Sequence, residues 1–167
     1  MTGDPVPIGL VRRARRGDTL AMNELLSLLA PQVGRICRPI ALNAAADAAQ
    51  EALIVIFKSL RGLREPAALY GWVRTIAVRE AIRVACANAR SVPDDLSCLP
   101  AAGDQLLGAD IRDTLANLTP EHRAVLVLRD LEGYSEQEAA ELLRVPAGTV
   151  KSRLNRARQS FRKVWAS

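Results

Sequence analysis

Acidic residues are missing altogether from the end of this chain: between Arg144 and Ser167 there are seven Lys or Arg and no Asp or Glu. Aromatics are scarce throughout, six in 167 residues, while Ala and Leu are abundant. That balance favours helices and disfavours strands. There is one histidine, His122, and there are three cysteines, Cys37, Cys86 and Cys98, without CxxC spacing. This set offers no metal site, and an odd cysteine count reads as reduced thiols in the cytosol. Long apolar runs are also absent. The longest, Ala52–Phe57, is far too short to span a bilayer, and Arg12–Arg16 is not followed by the apolar stretch of a signal peptide. The expectation is a cytoplasmic protein without membrane insertion or cofactor. No Gly-rich phosphate loop, carboxylate cluster of metal spacing or Cys/His pair near a base is present, which argues against an enzyme.

What is present is charge, sharply segregated. The net +5 divides into +6 for residues 1–93, −8 for 94–141 and +7 for 144–167. Of the 23 cations, 20 are Arg, the residue better suited to phosphate and guanine. A basic segment beside an acidic one builds a field, and such a field points to a polyanion partner.

The pattern along the chain is helical. Residues 1–7, with Gly3, Pro5 and Pro7, form a loose tail. Helical periodicity runs Ile8–Arg16, breaks at Gly17-Asp18, and resumes from Thr19 to Leu29. Pro31 is expected to start a third helix ending near Ala41. A fourth spans Ala46–Arg61, with Ala49, Leu53, Ile56 and Leu60 as its core stripe. A fifth starts at Pro66 and continues to about Ala89, with Val73, Ala77 and Val84 inward. Val78 and Ile82 on its other side read either as an exposed contact patch or as ordinary packing against the second module. Residues 91–107 hold Pro93, Asp94, Asp95, Pro100 and Gly103 and read as an acidic linker. Helix returns near Gly108–Asn117, and again behind Thr119-Pro120, an N-cap followed by Pro at the first helical position. The fold class is all-α: two small helical modules, about 8–90 and 108–166, on a mobile tether.

Ser135-Glu136-Gln137-Glu138 is a capping box that opens a short helix through Leu143. After Arg144-Val145-Pro146, a long helix runs from Ala147 to Trp165. Val150, Leu154, Ala157 and Phe161 form its apolar stripe. Ser152, Asn155, Arg156, Gln159 and Lys163 point away from that stripe, with Thr149, Lys151, Arg153 and Arg158 on the flanks. A helix of this kind can enter a major groove, where Arg, Asn and Gln read base edges and the flanking cations meet phosphates. In the first module Asp47, Glu51, Ile54 and Lys58 share an outward face, with Gln50 beside them. An Ile inside such a polar face hints at a protein partner.

These pieces, in this order, resemble a bacterial RNA polymerase sigma factor of the extracytoplasmic-function (ECF) type, within the sigma-70 family. The most specific match runs from Leu118-Thr119-Pro120-Glu121-His122-Arg123 through Tyr134-Ser135-Glu136-Gln137-Glu138-Ala139-Ala140 to Pro146-Ala147-Gly148-Thr149-Val150-Lys151-Ser152-Arg153. It is similar to the family's region 4. Asp47-Ala48-Ala49-Gln50-Glu51-Ala52 with Phe57 resembles the region 2 helix that docks on the polymerase clamp. Gly71-Trp72-Val73-Arg74-Thr75-Ile76-Ala77 resembles the helix that meets the −10 promoter element.

The resemblance implies a promoter-specificity factor without covalent chemistry, whose partners are core RNA polymerase and promoter DNA. It assigns core binding to Asp47, Gln50, Glu51 and Ile54. It assigns the −35 element to Thr149, Lys151, Ser152, Arg153, Asn155, Arg156 and Arg158, and the −10 element to Trp72, Arg74, Arg79 and Arg83. The loop from Arg61 to Leu69 would hold an unstacked −10 base, and the linker would lie along the RNA exit path. Relatives of this type are often held by an anti-sigma protein wedged between the modules, which a 17-residue linker permits. The chain departs from the pattern in carrying Arg79 and Arg83 where relatives have shorter polar residues, and Arg144 where they often have Gly. The competing reading is a free-standing helix-turn-helix regulator that binds operator DNA without polymerase. The chain offers it no evident dimerisation helix, and it leaves Asp47–Phe57 unexplained.

Overall fold

The computed structural model describes residues 6–91 and 109–165, and among them every regular element is helical. α1 (Ile8–Arg15) ends at Gly17, whose φ of +95° turns the chain at little cost for a residue without Cβ. Asp18 then caps α2 by accepting from the Ala21 amide at 3.0 Å, while Arg13 holds its other oxygen at 2.8 Å. These bonds hold the Asp18 carboxyl below its usual range.

α2 runs unbroken from Thr19 to Ala41, so the expected boundary at Pro31 does not exist. A proline inside a helix costs roughly 3 kcal/mol. Leu25, Leu29, Val33, Ile36 and Ile40 lie on one stripe through the proline and are 0–3% exposed. Burying each is worth about 1.5–3 kcal/mol, so packing overrides the local penalty. By length and composition the stretch Thr19–Gly62 could cross a membrane. Here it is two helices whose apolar stripes face each other. The turn after α2 places Leu42 at φ 51°, and its side chain packs beside Leu115, Leu118 and Ala157 of the second module.

α3 (Ala45–Ser59) packs along α2 and closes in a 3-10 turn, Leu60–Gly62. Its buried stripe is Ala48, Ala52 and Ile56, continued by Leu60. Ala49 and Leu53, expected at the centre of that stripe, sit half-buried at its margin. Ile56 and Leu60 stay on the stripe, and Ala48 and Ala52 take the places expected for Ala49 and Leu53 where α3 meets α2 and α4. A second 3-10 turn, Pro66–Ala68, leads into α4 (Leu69–Ser91). Val73, Ala77, Val78 and Ala81 of α4 are fully buried, and Val84 is half-buried. Of the two readings of Val78 and Ile82, packing is the one found: Val78 is core and Ile82 packs against the same cluster.

α5 (Ala109–Ala116), α6 (Pro120–Leu126), a π-helical segment (Val127–Leu131), α7 (Glu136–Leu143) and α8 (Ala147–Trp165) complete the chain. The linker expected over 91–107 lies, beyond Ser91, outside the described residues, as do Cys98 and most of the expected tail. One buried cluster runs from Leu10 in α1 to Leu154 in α8, because α6 packs on α2 and α4, and α7 packs on α4.

A charged group pins this contact. The Arg123 side chain on α6 is 7% exposed. Its Nε donates to the Ile40 carbonyl of α2 at 2.7 Å, and its Nη1 donates to the Leu118 and Leu115 carbonyls at 2.9 and 3.3 Å. Burial lowers the pKa of this guanidinium, and the carbonyls supply what water no longer does. Nearby, the Cys86 thiol of α4 donates to the Glu121 carboxylate at 3.5 Å. Burial, and then Glu121, push that thiol above its ordinary range, whereas burial takes the Cys37 thiol up to about 12.

Replacing Arg123 by Met should strand three carbonyls and lower stability by about 3–5 kcal/mol in urea unfolding. Arg123→Lys should recover only part, because an ammonium lacks the planar fork that spans two helices. Near-wild-type stability of Arg123→Met would show that the guanidinium does not hold the modules.

Candidate nucleic-acid interface

The helix-turn-helix is set by local chemistry. Ser135 Oγ accepts from the Glu138 amide at 3.1 Å, and the Glu138 carboxylate accepts from the Ser135 amide at 2.8 Å, so both arms of the capping box are formed. Those bonds hold the Glu138 carboxyl below its ordinary range. The Glu138 arm of the cap is therefore fully present above that range and is lost as the pH falls through the lowered value, while the Ser135 arm does not titrate. At the other end of α7 the chain turns at Arg144, φ 54° and ψ 45°, a left-handed conformation in a residue with a Cβ. Pro146 then starts the bonding of α8, with its carbonyl accepting from the Thr149 and Val150 amides.

α8 buries Val150, Leu154 and Ala157, with Phe161 half-buried, which is the stripe the periodicity indicates. Lys151, Ser152, Asn155, Arg156, Arg158 and Gln159 are exposed; Thr149 and Arg153 are half-buried at the edge. Two of these side chains already have partners. Ser152 Oγ donates to the Thr149 carbonyl at 3.0 Å. Arg158 grips Asp130 in a two-pronged pair at 2.6 and 3.1 Å. Against α6, burial and then Arg153 lower the pKa of His122, so the ring stays neutral beside the basic helix.

The residues assigned to the −10 element do not share one open surface. Trp72 is half-buried. Arg74 donates to the Tyr134 hydroxyl of the second module, with its guanidinium carbon 5.2 Å from the ring centre. Arg79 Nε donates to the Leu142 carbonyl at the end of α7, at 3.1 Å. Burial and then the neighbouring Arg144 lower the pKa of Arg79. Arg83 turns the other way, to Glu80 at 2.7 Å and to Glu51 of α3 at 3.2 Å.

On α3, Asp47, Gln50, Glu51 and Ile54 are all exposed on one face, and Phe57 joins them at 53% exposure beside Ile54 at 38%. Asp130, Tyr134 and Leu142, the partners of the arginines that the resemblance assigns to DNA, carry no signal of that pairing in the sequence. Each pair spans 28 residues or more, and no periodicity signals such a contact.

An all-helical chain that ends in a capped helix-turn-helix with an exposed basic face is a DNA-binding transcription protein. A family model for sigma-70 region 4 matches residues 109–161. The chain is 31% identical over 170 residues to an ECF RNA polymerase sigma-E factor of Haemophilus influenzae, with 90% of each chain covered. It is 33% identical to the ECF RNA polymerase sigma factor SigE of Mycolicibacterium smegmatis, over 93% of this chain and 67% of that one. Two solved structures share the fold. One is the sigma factor RpoE in complex with the anti-sigma factor NepR from Bartonella quintana, with a TM-score of 0.65 over 86% of this chain and 96% of that one at 22% identity. The other is CnrH in complex with the cytosolic domain of CnrY, with a TM-score of 0.61 over 95% and 96% at 19% identity. The chain belongs to the ECF RNA polymerase sigma factors.

Arg74→Ala combined with Arg79→Ala should loosen the second module from α4. Amide exchange should then quicken in α7 and in the facing part of α4. Arg83→Ala, which removes only exposed ion pairs, should leave both rates unchanged. Equal protection in all three proteins would mean that apolar packing alone sets this contact.

Proposed function

We propose that this chain is a promoter-specificity subunit that binds core RNA polymerase in the cytoplasm and directs initiation by reading −35 and −10 elements. The observation that carries the reading is the exposed face of α8, with Lys151, Ser152, Asn155 and Arg156, inside the segment matched by sigma-70 region 4. Residues 108–166 form the −35 module, 8–90 form the polymerase and −10 module, and 91–107 join them. Arg156 and Asn155 read base edges in the major groove, and Lys151 and Arg153 neutralise phosphates. The exposed face of α3, with Asp47, Gln50, Glu51 and Ile54 and extended by Phe57, docks on the polymerase clamp. Trp72, Arg74, Arg79 and Arg83 on α4 and the loop before it hold the −10 strand.

Engagement of the −10 element requires Arg74 and Arg79 to leave Tyr134 and the Leu142 carbonyl. DNA binding thus goes with separation of the two modules. The solved relatives are described with an anti-sigma factor or a cytosolic partner domain bound. We extend that to this chain: a partner of that kind holds the modules in a form that keeps α4 from DNA.

A run-off transcription assay tests the central claim. Specific transcripts should appear only when core polymerase and this chain are both present; operator binding by the chain alone, with no effect on polymerase, would overturn it. Gln50→Ala with Ile54→Asp should weaken capture of core polymerase while circular dichroism is unchanged, because both side chains lie off the buried stripe and the Asp brings an unpaired charge into a desolvated contact. Undiminished capture would exclude the α3 face.

On α8, Arg156→Ala should cost about 1–3 kcal/mol and relax preference at one base pair. Asp130→Asn should act in the opposite sense. It frees Arg158, so affinity should rise for all sequences and the salt slope should steepen by roughly 0.9 for one added phosphate contact. If both variants change a randomised −35 library alike, the facing assigned to α8 is wrong.

A further inference from the structure

Three arginines that no function above uses meet Arg61, the first residue of the loop before α4, on the first module. Arg12 and Arg15 come from the last turn of α1, Arg16 is the residue that caps it, and Arg61 comes from the 3-10 turn after α3. Together they line a depression of about 340 Å³, at the lower end of the size range of ligand pockets. The Arg61 guanidinium lies over the turn at Gly17, where a Cβ would stand 3.4 Å from it. Arg12, Arg16 and Arg61 are exposed and Arg15 is half-buried.

The cations have no counter-charge among the described residues. The two carboxylates nearest in sequence are both turned away. Asp18 holds Arg13 and caps α2, and Glu65 accepts from the Ala67 amide at 3.3 Å. Arg15 reaches only the Arg64 carbonyl, at 3.5 Å, and its Nε is buried with no partner. The α1 dipole favours cations at its C-terminal end, which accounts for arginines on α1 but not for Arg61, delivered from another element. Gathering four like charges is unfavourable unless an anion completes the set. One guanidinium satisfies the two oxygens of a carboxylate; several guanidinia on two sides match a phosphate, which presents oxygens in more directions and repeats along a strand.

We propose that the Arg12, Arg15, Arg16 and Arg61 pocket is a phosphate site that grips the sugar-phosphate backbone of single-stranded promoter DNA. The choice of strand rests on the −10 reading above, because Arg61 opens the loop assigned there to an unstacked base. The pocket lies on α1 and the 60–68 turns, which pack on each other and away from α6 and α7. It is therefore available while the modules are closed.

The test uses the full chain without polymerase, so it is independent of the transcription assay. Binding of a fluorescent oligothymidylate 12-mer is followed by anisotropy across a salt series. Arg12→Gln with Arg16→Gln should lower affinity about tenfold at low salt and reduce the salt slope by roughly 1.4, the loss of two contacts to a single strand. Arg61→Gln alone should move both in the same direction by about half. Arg35→Gln with Arg38→Gln, exposed on α2 and equal in charge removed, should change neither. Equal losses in the α1 and α2 variants would overturn the proposal by reducing it to net charge. Tripolyphosphate is the second probe, in calorimetry. If it binds wild type and not the α1 variant while the 12-mer binds both alike, the strand assignment is overturned and a soluble phosphate is the ligand. Should run-off transcription fail while the α1 variant still loses the 12-mer, the sigma reading falls and the phosphate site stands.

Discussion

Helices approach each other closely only where small side chains meet, and in this chain alanine holds those positions. Ala14, Ala21, Ala48, Ala52, Ala77 and Ala81 are fully buried, one or two on each helix of the first module. None of the described aromatics is buried; Phe57 faces outward and the others sit half-buried at the rim. Close approach gives dense contact but little apolar area per residue. A module of about 60 residues then has little to spare as an independent core. The second module meets that shortage by sharing its apolar face with the first, so Ala124, Val125, Leu128 and Ala139 belong to the same buried cluster as Leu25 and Val73.

Arginine does two kinds of work under this constraint. On α8 the guanidinium groups of Arg156 and Arg162 stand in water, while Arg153 is half-buried and Arg158 pairs with Asp130. On α4 the same residue type bridges modules, through Tyr134 and the Leu142 carbonyl, or ties neighbouring helices through Glu51. A donor fork that suits phosphate and guanine suits backbone carbonyls equally well. The contacts that keep the modules together thus draw on residues assigned to promoter DNA, and the two uses exclude each other at Arg74 and Arg79.

What was legible in the sequence was local. The box at Ser135 and Glu138, the cap at Thr119 and the stripe of α8 each depend on residues within a turn or two, and each is found where the pattern places it. The outward face of α3 was legible for the same reason. Pro31 misled because a local breaker rule competes with five buried side chains on the same stripe, and the stripe wins. For Val78 the pattern leaves a contact patch and a packing role equally open, and the choice falls to packing because α4 is covered by α2 and α3 and by the second module, which no single-helix periodicity reveals. The pairing of Arg158 with Asp130 and the meeting of Arg61 with α1 are products of tertiary contact and leave no mark in the local pattern.

The arrangement of the Arg123 bonds sets how the two halves can come apart. Two of its three acceptors, Leu115 and Leu118, belong to its own module, and only Ile40 belongs to the other. On separation the guanidinium keeps its local carbonyls and gains water, while the Ile40 carbonyl, at the end of α2, is solvated in turn. The step forfeits one charge-assisted hydrogen bond, about 1.5–3 kcal/mol, rather than leaving a charge buried and bare. That is a shift of roughly ten- to a hundredfold in the open-to-closed ratio. The guanidinium is thus the reversible part of the clasp, and the rest of the closure lies in the shared apolar cluster and in the Arg74 and Arg79 bonds.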